Sequence, residues 1–330
     1  MKQPELAIIL PAWKSAFLEK SLRSIENQEA GTFTLYIFDD AGPAELAAIC
    51  RPFLNRNPGW KYHRFEQNLG KENLAAHWNR CIRQSSENWI WLFSDDDEME
   101  PGCVEAFLKA KATFAEHRVF RLPFSIMNEE GSLQPTKSID TAILSGADFG
   151  KQRFLRNLDS SAVEFIFSRN AFNEHGGFPE FPAAWCSDDA AWIKFSGAAG
   201  IRFLKEGGVR WRSSSLNISG SGGSWTLKKL EAAIQFISWY NKEFQEAAAD
   251  TSFRAEQIIW LRLQMVHQHY FPGFLQVIGM LKKLEIRSLS HFIRSFQDLY
   301  CLSYVYHCRV VANRKPVGIR YWLSILLPAF

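Results

Sequence analysis

The stretch Trp91-Leu92-Phe93-Ser94-Asp95-Asp96-Asp97-Glu98-Met99-Glu100-Pro101 decides how the rest of the chain is interpreted. The apolar run at residues 89–93 has the length and the aromatic and β-branched content of a buried strand. Three aspartates follow it directly, and in an open α/β sheet ligands bind at the carboxyl ends of the strands. Adjacent carboxylates repel one another unless a cation or hydrogen-bond donors share them. Their oxygens suit Mg²⁺ or Mn²⁺, whereas the alternative is an acidic turn that caps the next helix.

Composition and charge favour a globular protein. The 330 residues are 47% hydrophobic and 22% charged, which suits one large domain or two. The net charge of +3 does not indicate a nucleic-acid partner. Basic residues are in excess in the last third of the chain, where they suit either an anionic lipid surface or plain solvation.

Cysteine spacing and hydropathy predict the compartment. No apolar run reaches the roughly 18–20 residues that span a bilayer, and the first residues lack the features of a signal peptide. The cysteines lack the Cys-x-x-Cys spacing of metal sites: Cys50, Cys81, Cys103, Cys186, Cys301 and Cys308. We therefore expect reduced thiols in a cytoplasmic protein, attached at most to the inner face of the cell membrane.

Strands and helices alternate four times in the first part of the chain. Apolar runs at residues 6–10, 34–38, 61–65 and 89–93 predict strands, and each is followed by a helical pattern. This alternation predicts a parallel sheet with right-handed crossovers, so the strand ends should meet at one edge. Neither a Gly-rich dinucleotide turn nor a Gly-Lys-Ser/Thr phosphate loop is present. The polar or aromatic residues at the strand ends are Trp13, Asp40, Asn68 and Asp95 to Asp97.

The motifs at these ends resemble those of a known family. In order they are Ile8-Ile9-Leu10-Pro11-Ala12-Trp13, Ser21-Leu22-Arg23-Ser24-Ile25-Glu26-Asn27-Gln28, Ile37-Phe38-Asp39-Asp40-Ala41-Gly42, Asn68-Leu69-Gly70 and Ser94-Asp95-Asp96-Asp97 with Pro101. Together, over roughly residues 5–220, they resemble glycosyltransferase family 2, whose members are inverting enzymes with the GT-A fold. The resemblance implies an α/β, Rossmann-like and mostly parallel sheet flanked by helices. The apolar spacing from Trp225 onward predicts that the C-terminal region is helical.

The resemblance also implies roles at the nucleotide end of the site. Trp13 matches an aromatic residue that lies against the nucleotide base, and Asp40 matches the carboxylate that accepts a hydrogen bond from the base. A plain core or surface tryptophan and a turn aspartate are the respective alternatives. The remaining nucleotide-sugar-binding candidates on this side are Pro11, Ala12, Asn68 and Lys71.

At the diphosphate end, the resemblance places Asp95 at the ribose and Asp96, with Asp97, at a Mn²⁺ or Mg²⁺ ion. Two departures leave the division of roles open: Lys14 stands where the family usually has Asn, and Ser94 stands at the first position of Asp-x-Asp-Asp. Arg212 is similar to a family arginine that can approach the diphosphate. Its alternative role is a structural arginine bound to carbonyls.

The predicted catalytic base lies further along the chain. Gly176-Gly177-Phe178 and the later Asp188-Asp189 resemble the family's Gly-Gly-Phe followed by an acidic pair, in which Asp189 matches the base. An inverting transfer needs such a carboxylate on the acceptor hydroxyl. The alternative is that Ser187 and Asp188 cap a helix over residues 189–197. We also expect strands at residues 119–124 and 164–167, with polar, irregular chain between them that includes residues 146–157.

We predict a catalytic domain at residues 1–224, with a nucleotide-sugar half at 1–117 and an acceptor half at 118–224, and a helical region at 225–330. The basic, aromatic tail suits peripheral membrane contact, and its alternatives are packing on the catalytic domain or a homodimer contact. The tail residues are Arg309, Arg314, Lys315, Arg320, Tyr321, Trp322, Leu323, Ile325, Leu326 and Leu327.

The predicted activity is metal-assisted transfer of a sugar from a nucleoside diphosphate, with UDP favoured, to a glycan or lipid-linked acceptor in surface polysaccharide synthesis. One rival is a metal-dependent nucleotidyl- or phosphotransferase that uses the same carboxylates. The other is a degenerate protein that binds nucleotide-sugars without turnover.

Overall fold

The computed structural model describes residues 4–28, 33–42, 46–218, 224–270, 272–286, 289–306 and 308. The chain divides into two compact units. The first comprises Met1–Lys151 and Asn157–Gly220, and the second comprises Gln152–Arg156 and Ser221–Phe330. The domain limits predicted from the sequence, at 117/118 and 224/225, stay predictions.

The first unit contains an eight-stranded sheet in the order β3-β2-β1-β4-β10-β6-β11-β9. Strand β1 is parallel to both β2 and β4, and β2 is parallel to β3, whereas β10 runs antiparallel to β4 and β6. The four parallel strands therefore end at one edge, as the strand–helix alternation predicts. The strands are β1 (Leu6–Ala12), β2 (Phe33–Asp39), β3 (Lys61–Arg64), β4 (Trp89–Leu92), β6 (Val119–Arg121), β9 (Ile143–Leu144), β10 (Phe165–Ser168) and β11 (Ile201–Phe203).

Strands β1 and β4 form the buried centre of this sheet. Residues Leu6 to Leu10 are completely buried, as expected for a central parallel strand with both faces covered. Trp91 is also buried, and its indole N–H donates to the Val163 carbonyl at 2.7 Å, which satisfies its only donor. This rigid centre supports the aspartates that follow β4.

A second sheet, of four strands, has the order β5-β12-β7-β8. The prediction of one strand at residues 119–124 is wrong, because β6 ends at Arg121 and β7, in this other sheet, begins at Phe124. Pro123 lies at the break, where a residue without an N–H cannot continue a ladder. The strands are β5 (Glu98–Met99), β7 (Phe124–Met127), β8 (Leu133–Gln134) and β12 (Val209–Arg212).

Helices connect the strands of the first unit. Asn73 caps α3, its side chain accepting from the Ala76 N–H at 3.0 Å. The helices are α1 (Leu18–Glu26), α2 (Leu46–Arg56), α3 (Leu74–Arg83), α4 (Cys103–Thr113), α5 (Gly146–Phe154), α6 (Arg169–Glu174) and α7 (Ser187–Phe195).

Helix α5 contradicts the expectation of irregular chain from residue 146. Ser145 lies just before it, and its hydroxyl accepts from the Asp148 N–H at 3.0 Å and donates to the Asp148 carboxylate at 2.7 Å. This Ser-x-x-Asp pattern is a helix-start signal that the sequence interpretation overlooked.

The second unit is helical in its described residues. The Phe154 ring lies 5.1 Å from the Phe236 ring and 5.3 Å from the Trp260 ring, between centroids. A π-helical turn at Gln297–Leu302 precedes the last helix. The helices are α8 (Ser224–Glu243), α9 (Gln245–Ala249), α10 (Thr251–His267), α11 (Phe274–Lys283), α12 (Leu289–Phe296) and α13 (Ser303–Tyr306).

None of the helices within the described ranges is long and apolar enough to cross a membrane. All six cysteines are buried. The basic tail on which the membrane-contact prediction rests, from Arg309 onward, lies outside the described residues.

Candidate functional site

Asp95 joins the ends of β1 and β4. Its Oδ2 accepts hydrogen bonds from the backbone N–H groups of Trp13 at 2.8 Å and Lys14 at 2.7 Å. Asp95 is buried, so these donors replace the water that its carboxylate loses. The carboxylate therefore fixes the backbone of the turn after β1, from which the Trp13 side chain extends.

Asp96 forms an ion pair with Lys14. The Lys14 ammonium contacts Asp96 Oδ2, and it lies 3.1 Å from Asn217 Oδ1 and 3.4 Å from Asp95 Oδ1. The other Asp96 oxygen, Oδ1, accepts from the Ser94 hydroxyl at 2.5 Å. Both departures from the family pattern, Lys14 and Ser94, thus meet on Asp96.

Asp97 connects β4 to the second sheet. Its Oδ1 accepts from the backbone N–H of Arg212 at 2.7 Å. The Arg212 guanidinium contacts the same segment: its Nε donates to the Asp96 carbonyl at 2.9 Å and its Nη2 to the Glu98 carboxylate. Nη1 donates to the carbonyls of Asn128 and Glu129.

Arg212 therefore makes the contacts expected of a structural arginine. Its side chain is 0% exposed, and its N–H groups donate to backbone carbonyls and to Glu98. Contact with a diphosphate stays a prediction.

Burial shifts the pKa values of Asp95, Asp97 and Lys14. Burial raises the pKa of Asp95 and, together with the charge of Asp96, raises that of Asp97 well above the ordinary range. Burial by itself lowers the pKa of Lys14, but the charges of Asp95 and Asp96 outweigh it and raise that pKa above its ordinary value. Lys14 is consequently a persistent positive charge at this edge of the sheet.

The predicted metal ligands, Asp96 and Asp97, do not fit a divalent cation as they are arranged. Among the described residues no group of three or more His, Cys, Asp and Glu side chains is placed to hold a metal ion. Asp96 is engaged by Lys14 and Ser94, and Asp97 Oδ1 by a backbone N–H. A dication about 4 Å from the Lys14 ammonium would meet a repulsion of roughly 8 kcal/mol at an effective dielectric constant of about 20.

Asp40 is buried at the end of β2 and organises the loop after β3. Its Oδ1 accepts from the Leu69 N–H at 3.0 Å and its Oδ2 from the Gly70 N–H at 2.7 Å. The Arg80 guanidinium also contacts Oδ1. Burial raises the pKa of Asp40, although these two backbone hydrogen bonds lower it in part. A side chain at position 70 would place its Cβ 2.7 Å from Asp40 Oδ2, so glycine permits this approach.

Trp13 is the exposed aromatic residue of the edge. The residue is 46% exposed. Pro11 and Ala12, which precede it, belong to β1. The Ala12 carbonyl accepts from the Asp40 N–H at 2.9 Å, and Trp13 lies next to Gly42, where a Cβ would be 3.4 Å from its ring. The structure thus brings Trp13 and Asp40 together.

Asn68 and Lys71 lie in the loop that Asp40 holds. Asn68 Oδ1 accepts from the Lys71 N–H at 2.8 Å, which closes a turn, and the Lys71 side chain is exposed. Both residues are therefore at the same edge as Asp40.

Asp189 lies in the first turn of α7 and is buried. The capping alternative is wrong in detail, because α7 begins at Ser187 and the N-cap position is held by Cys186, whose side chain makes no capping hydrogen bond. Before it, Ala183, Ala184 and Cys186 adopt positive φ angles of 53–61°, which are unfavourable for non-glycine residues. This turn places both Asp188 and Asp189 near the positive end of the α7 dipole.

A hydrogen bond connects this segment to the parallel strand ends. The Asn73 side chain, which caps α3 after β3, donates to Glu180 Oε2 at 2.8 Å. Asn79 on the same helix exchanges hydrogen bonds with the Phe178 backbone, at 2.8 and 3.0 Å. The Gly-Gly-Phe segment is therefore anchored on the helix that follows the Asp40 loop.

Three residues of the site were missed from the sequence: Arg80, His77 and Asn217. Arg80 Nε donates to His77 Nδ1 at 2.9 Å, and burial and the charge of Arg80 lower the pKa of His77 to about 3. The spacing of His77 and Arg80 on one helix face is a signal that could have been used. The approach of Asn217 to Lys14 has no such local signal.

Comparisons with known proteins agree with this fold. The chain is 24% identical over 176 residues to the GalNAc(5)-diNAcBac-PP-undecaprenol beta-1,3-glucosyltransferase of Campylobacter jejuni, which covers 52% of this chain and 55% of the relative. It is 30% identical over 104 residues to the uncharacterized protein MT1568 of Mycobacterium tuberculosis, covering 31% of each. The chain thus spans about half the length, or less, of these curated relatives.

Solved structures of TarS from S. aureus have the same fold. The complex of TarS residues 1–349 with UDP-GlcNAc matches with a TM-score of 0.59 and 16% identity, over 92% of this chain and 86% of that one. The complex with UDP matches with a TM-score of 0.56 and 14% identity, over 94% and 88%. The predicted mixed α/β fold with a helical C-terminal region is confirmed. The sequence model described as Glycosyl transferase family 2 matches residues 7–175, and the chain belongs to this family.

Proposed function

We propose that this chain is an inverting glycosyltransferase that moves a sugar from a nucleoside diphosphate to a glycan or lipid-linked acceptor. The observation that carries the proposal is the meeting of exposed Trp13, buried Asp40 and buried Asp95 at one edge of the parallel sheet. An aromatic plate beside carboxylates suits a base and a ribose, both of which carry hydrogen-bond donors. Membership of the family supports the same activity.

UDP is the nucleotide that we favour. The support is that TarS, which shares the fold, has been solved with UDP and with UDP-GlcNAc. In this proposal Trp13 lies against the base, and Asp40 accepts from it. Pro11, Ala12, Asn68 and Lys71 belong to the same proposed nucleotide-sugar site, and Asp95 binds the ribose.

Asp189 is the proposed general base. It takes the proton of an acceptor hydroxyl, whose oxygen forms a bond to the anomeric carbon as the bond from that carbon to the β-phosphate oxygen breaks. The electron pair of the broken bond leaves with the nucleoside diphosphate. Attack from the face opposite the leaving group inverts the anomeric configuration.

The acceptor that we favour is a lipid-linked glycan. The printed name of the Campylobacter relative describes glucosyl transfer to an undecaprenol-linked saccharide. A role in surface polysaccharide synthesis at the inner face of the cell membrane follows from such an acceptor. Peripheral membrane contact and homodimer formation stay predictions.

The prediction that Mn²⁺ or Mg²⁺ is held by Asp96 and Asp97 also stays a prediction. When bound to a diphosphate, such an ion would offset the negative charge of the leaving group. Because the ligands as arranged do not fit it, no step of the proposed reaction depends on it.

The test compares Asp189→Asn with Asp188→Asn, its half-buried neighbour on α7. Nucleoside diphosphate release is measured with UDP-sugars and synthetic polyprenyl-diphosphate-linked glycans. We expect Asp189→Asn to lower turnover about 10²-fold or more and to leave UDP affinity unchanged. Full activity of Asp189→Asn would disprove the base assignment, and nucleotide binding without turnover by the wild type would favour the non-catalytic alternative.

A further inference from the structure

The Lys14 side chain contacts the aspartate at which the family resemblance predicts a metal ion. Its ammonium contacts Asp96, the predicted metal ligand, and lies 3.1 Å from Asn217 Oδ1. Asp95 Oδ1 is a third oxygen, at 3.4 Å. Oxygen atoms from three residues thus surround this one cation.

The backbone holds the side chain in this position. The N–H of Lys14 itself donates to Asp95 Oδ2, so the residue is attached to the aspartate segment at both its backbone and its side chain. The Asn217 amide in turn donates to the Arg212 carbonyl, which ties the Asn217 side chain to β12. These hydrogen bonds preorganise the Lys14 side chain, in contrast to a flexible lysine on the surface.

Lys14 nevertheless remains accessible. About a fifth of its side-chain surface, 19%, is exposed, whereas its carboxylate partners are almost completely covered. An ammonium has three N–H donors that rotate together, so it can keep the contact with Asp96 and still donate to a phosphate oxygen.

We propose that Lys14 takes the place of a divalent cation, and that the donor's diphosphate binds here through its ammonium without a metal ion. This inference rests on the proposed function. Lys14 neutralises Asp96, so that an incoming phosphate meets an ion pair and not a bare carboxylate. In the reaction, the same ammonium faces the negative charge that develops on the β-phosphate oxygen.

The experiment is calorimetric titration with UDP, GDP, dTDP and CDP, in EDTA and separately in Mn²⁺. It uses the wild type, Lys14→Ala and the control Lys20→Ala, whose lysine is exposed on α1. Alanine at position 14 keeps the backbone N–H that donates to Asp95, and it opens space beside Asp96. The wild-type titrations alone test the proposal if Lys14→Ala does not fold.

We expect the wild type and Lys20→Ala to bind one nucleotide equally well in EDTA and in Mn²⁺. Lys14→Ala should bind it about tenfold or more weakly in EDTA and recover in Mn²⁺, because the ion can then occupy the vacated position. A purely structural role for Lys14 would not produce this recovery.

Several results would overturn the inference. They are wild-type binding only in Mn²⁺, unchanged affinity of Lys14→Ala in EDTA, and a loss in Lys14→Ala that Mn²⁺ does not restore. These leave the proposed function standing. Failure of the folded wild type to bind any of the four nucleotides under either condition would instead overturn the proposed function itself.

Discussion

Replacement of Arg212 by methionine should destabilise the first unit strongly. Methionine retains an unbranched apolar side chain but removes every donor of the guanidinium. The Glu98 carboxylate and the carbonyls of Asp96, Asn128 and Glu129 would each lose a partner. Breaking a buried ion pair costs about 3–5 kcal/mol. Because Glu98 is 26% exposed and can regain water, we expect the lower end, about 3 kcal/mol.

Arg210→Met is the matched control. Arg210 is on the same strand and pairs with Glu100 at 3.0 Å, but the two side chains are 42% and 36% exposed. Exposed pairs contribute about 0–1 kcal/mol. Urea unfolding, followed by tryptophan fluorescence and circular dichroism, should therefore separate the two variants by about 2 kcal/mol or more.

Equal stability of the two variants would refute the structural role of Arg212. If Arg212→Met also weakened nucleotide binding without a change in stability, the arginine would act on the diphosphate, as the family resemblance implies. The same pair of variants thus separates the two interpretations of this residue.

Three further predictions concern the nucleotide end of the site. Gly70→Ala should lower the free energy of unfolding by about 1–3 kcal/mol, since its Cβ would lie 2.7 Å from Asp40 Oδ2. The control is Gly59→Ala, whose Cβ would have no atom within 4 Å and which should change that free energy little in urea unfolding. His77, with its pKa lowered to about 3, stays neutral in the folded protein while the unfolded chain takes up a proton below its ordinary pKa of 6.5. Its contribution to stability is therefore complete above pH 6.5 and falls by about 3 kcal/mol by about pH 4.5. Urea titrations of His77→Gln should lack this loss, and equal pH slopes of the two proteins would disprove it. Trp13→Ala should weaken nucleotide binding about tenfold with little change in stability, because its ring is exposed, and unchanged affinity in calorimetry would remove it from the base site.

The edge of the sheet could be predicted from the sequence because it depends on topology. Apolar runs that alternate with helical patterns predict parallel strands, and parallel strands end together. Trp13, Asp40 and the three aspartates follow directly on such runs, so their convergence required no knowledge of side-chain packing. Topology alone does not determine the distances among these side chains.

The contacts that depend on packing could not be predicted. Lys14 and Asn217 are 203 positions apart, and their approach depends on how the loop after β12 lies across the β1 end. The division of residues 119–124 between two sheets was missed, although Pro123 marks it. The sequence therefore predicted which residues gather at the edge, but not that a lysine would engage the predicted metal ligand.

The most direct test of the central claim is calorimetric titration of the wild-type chain with UDP, GDP, dTDP and CDP in parallel. We expect that one of them, with UDP favoured, binds at one site per chain, and that Asp40→Asn weakens that binding. A folded protein that releases no heat with any of the four, and gives no tryptophan fluorescence change, would contradict the claim that this edge of the sheet is a nucleotide-sugar site.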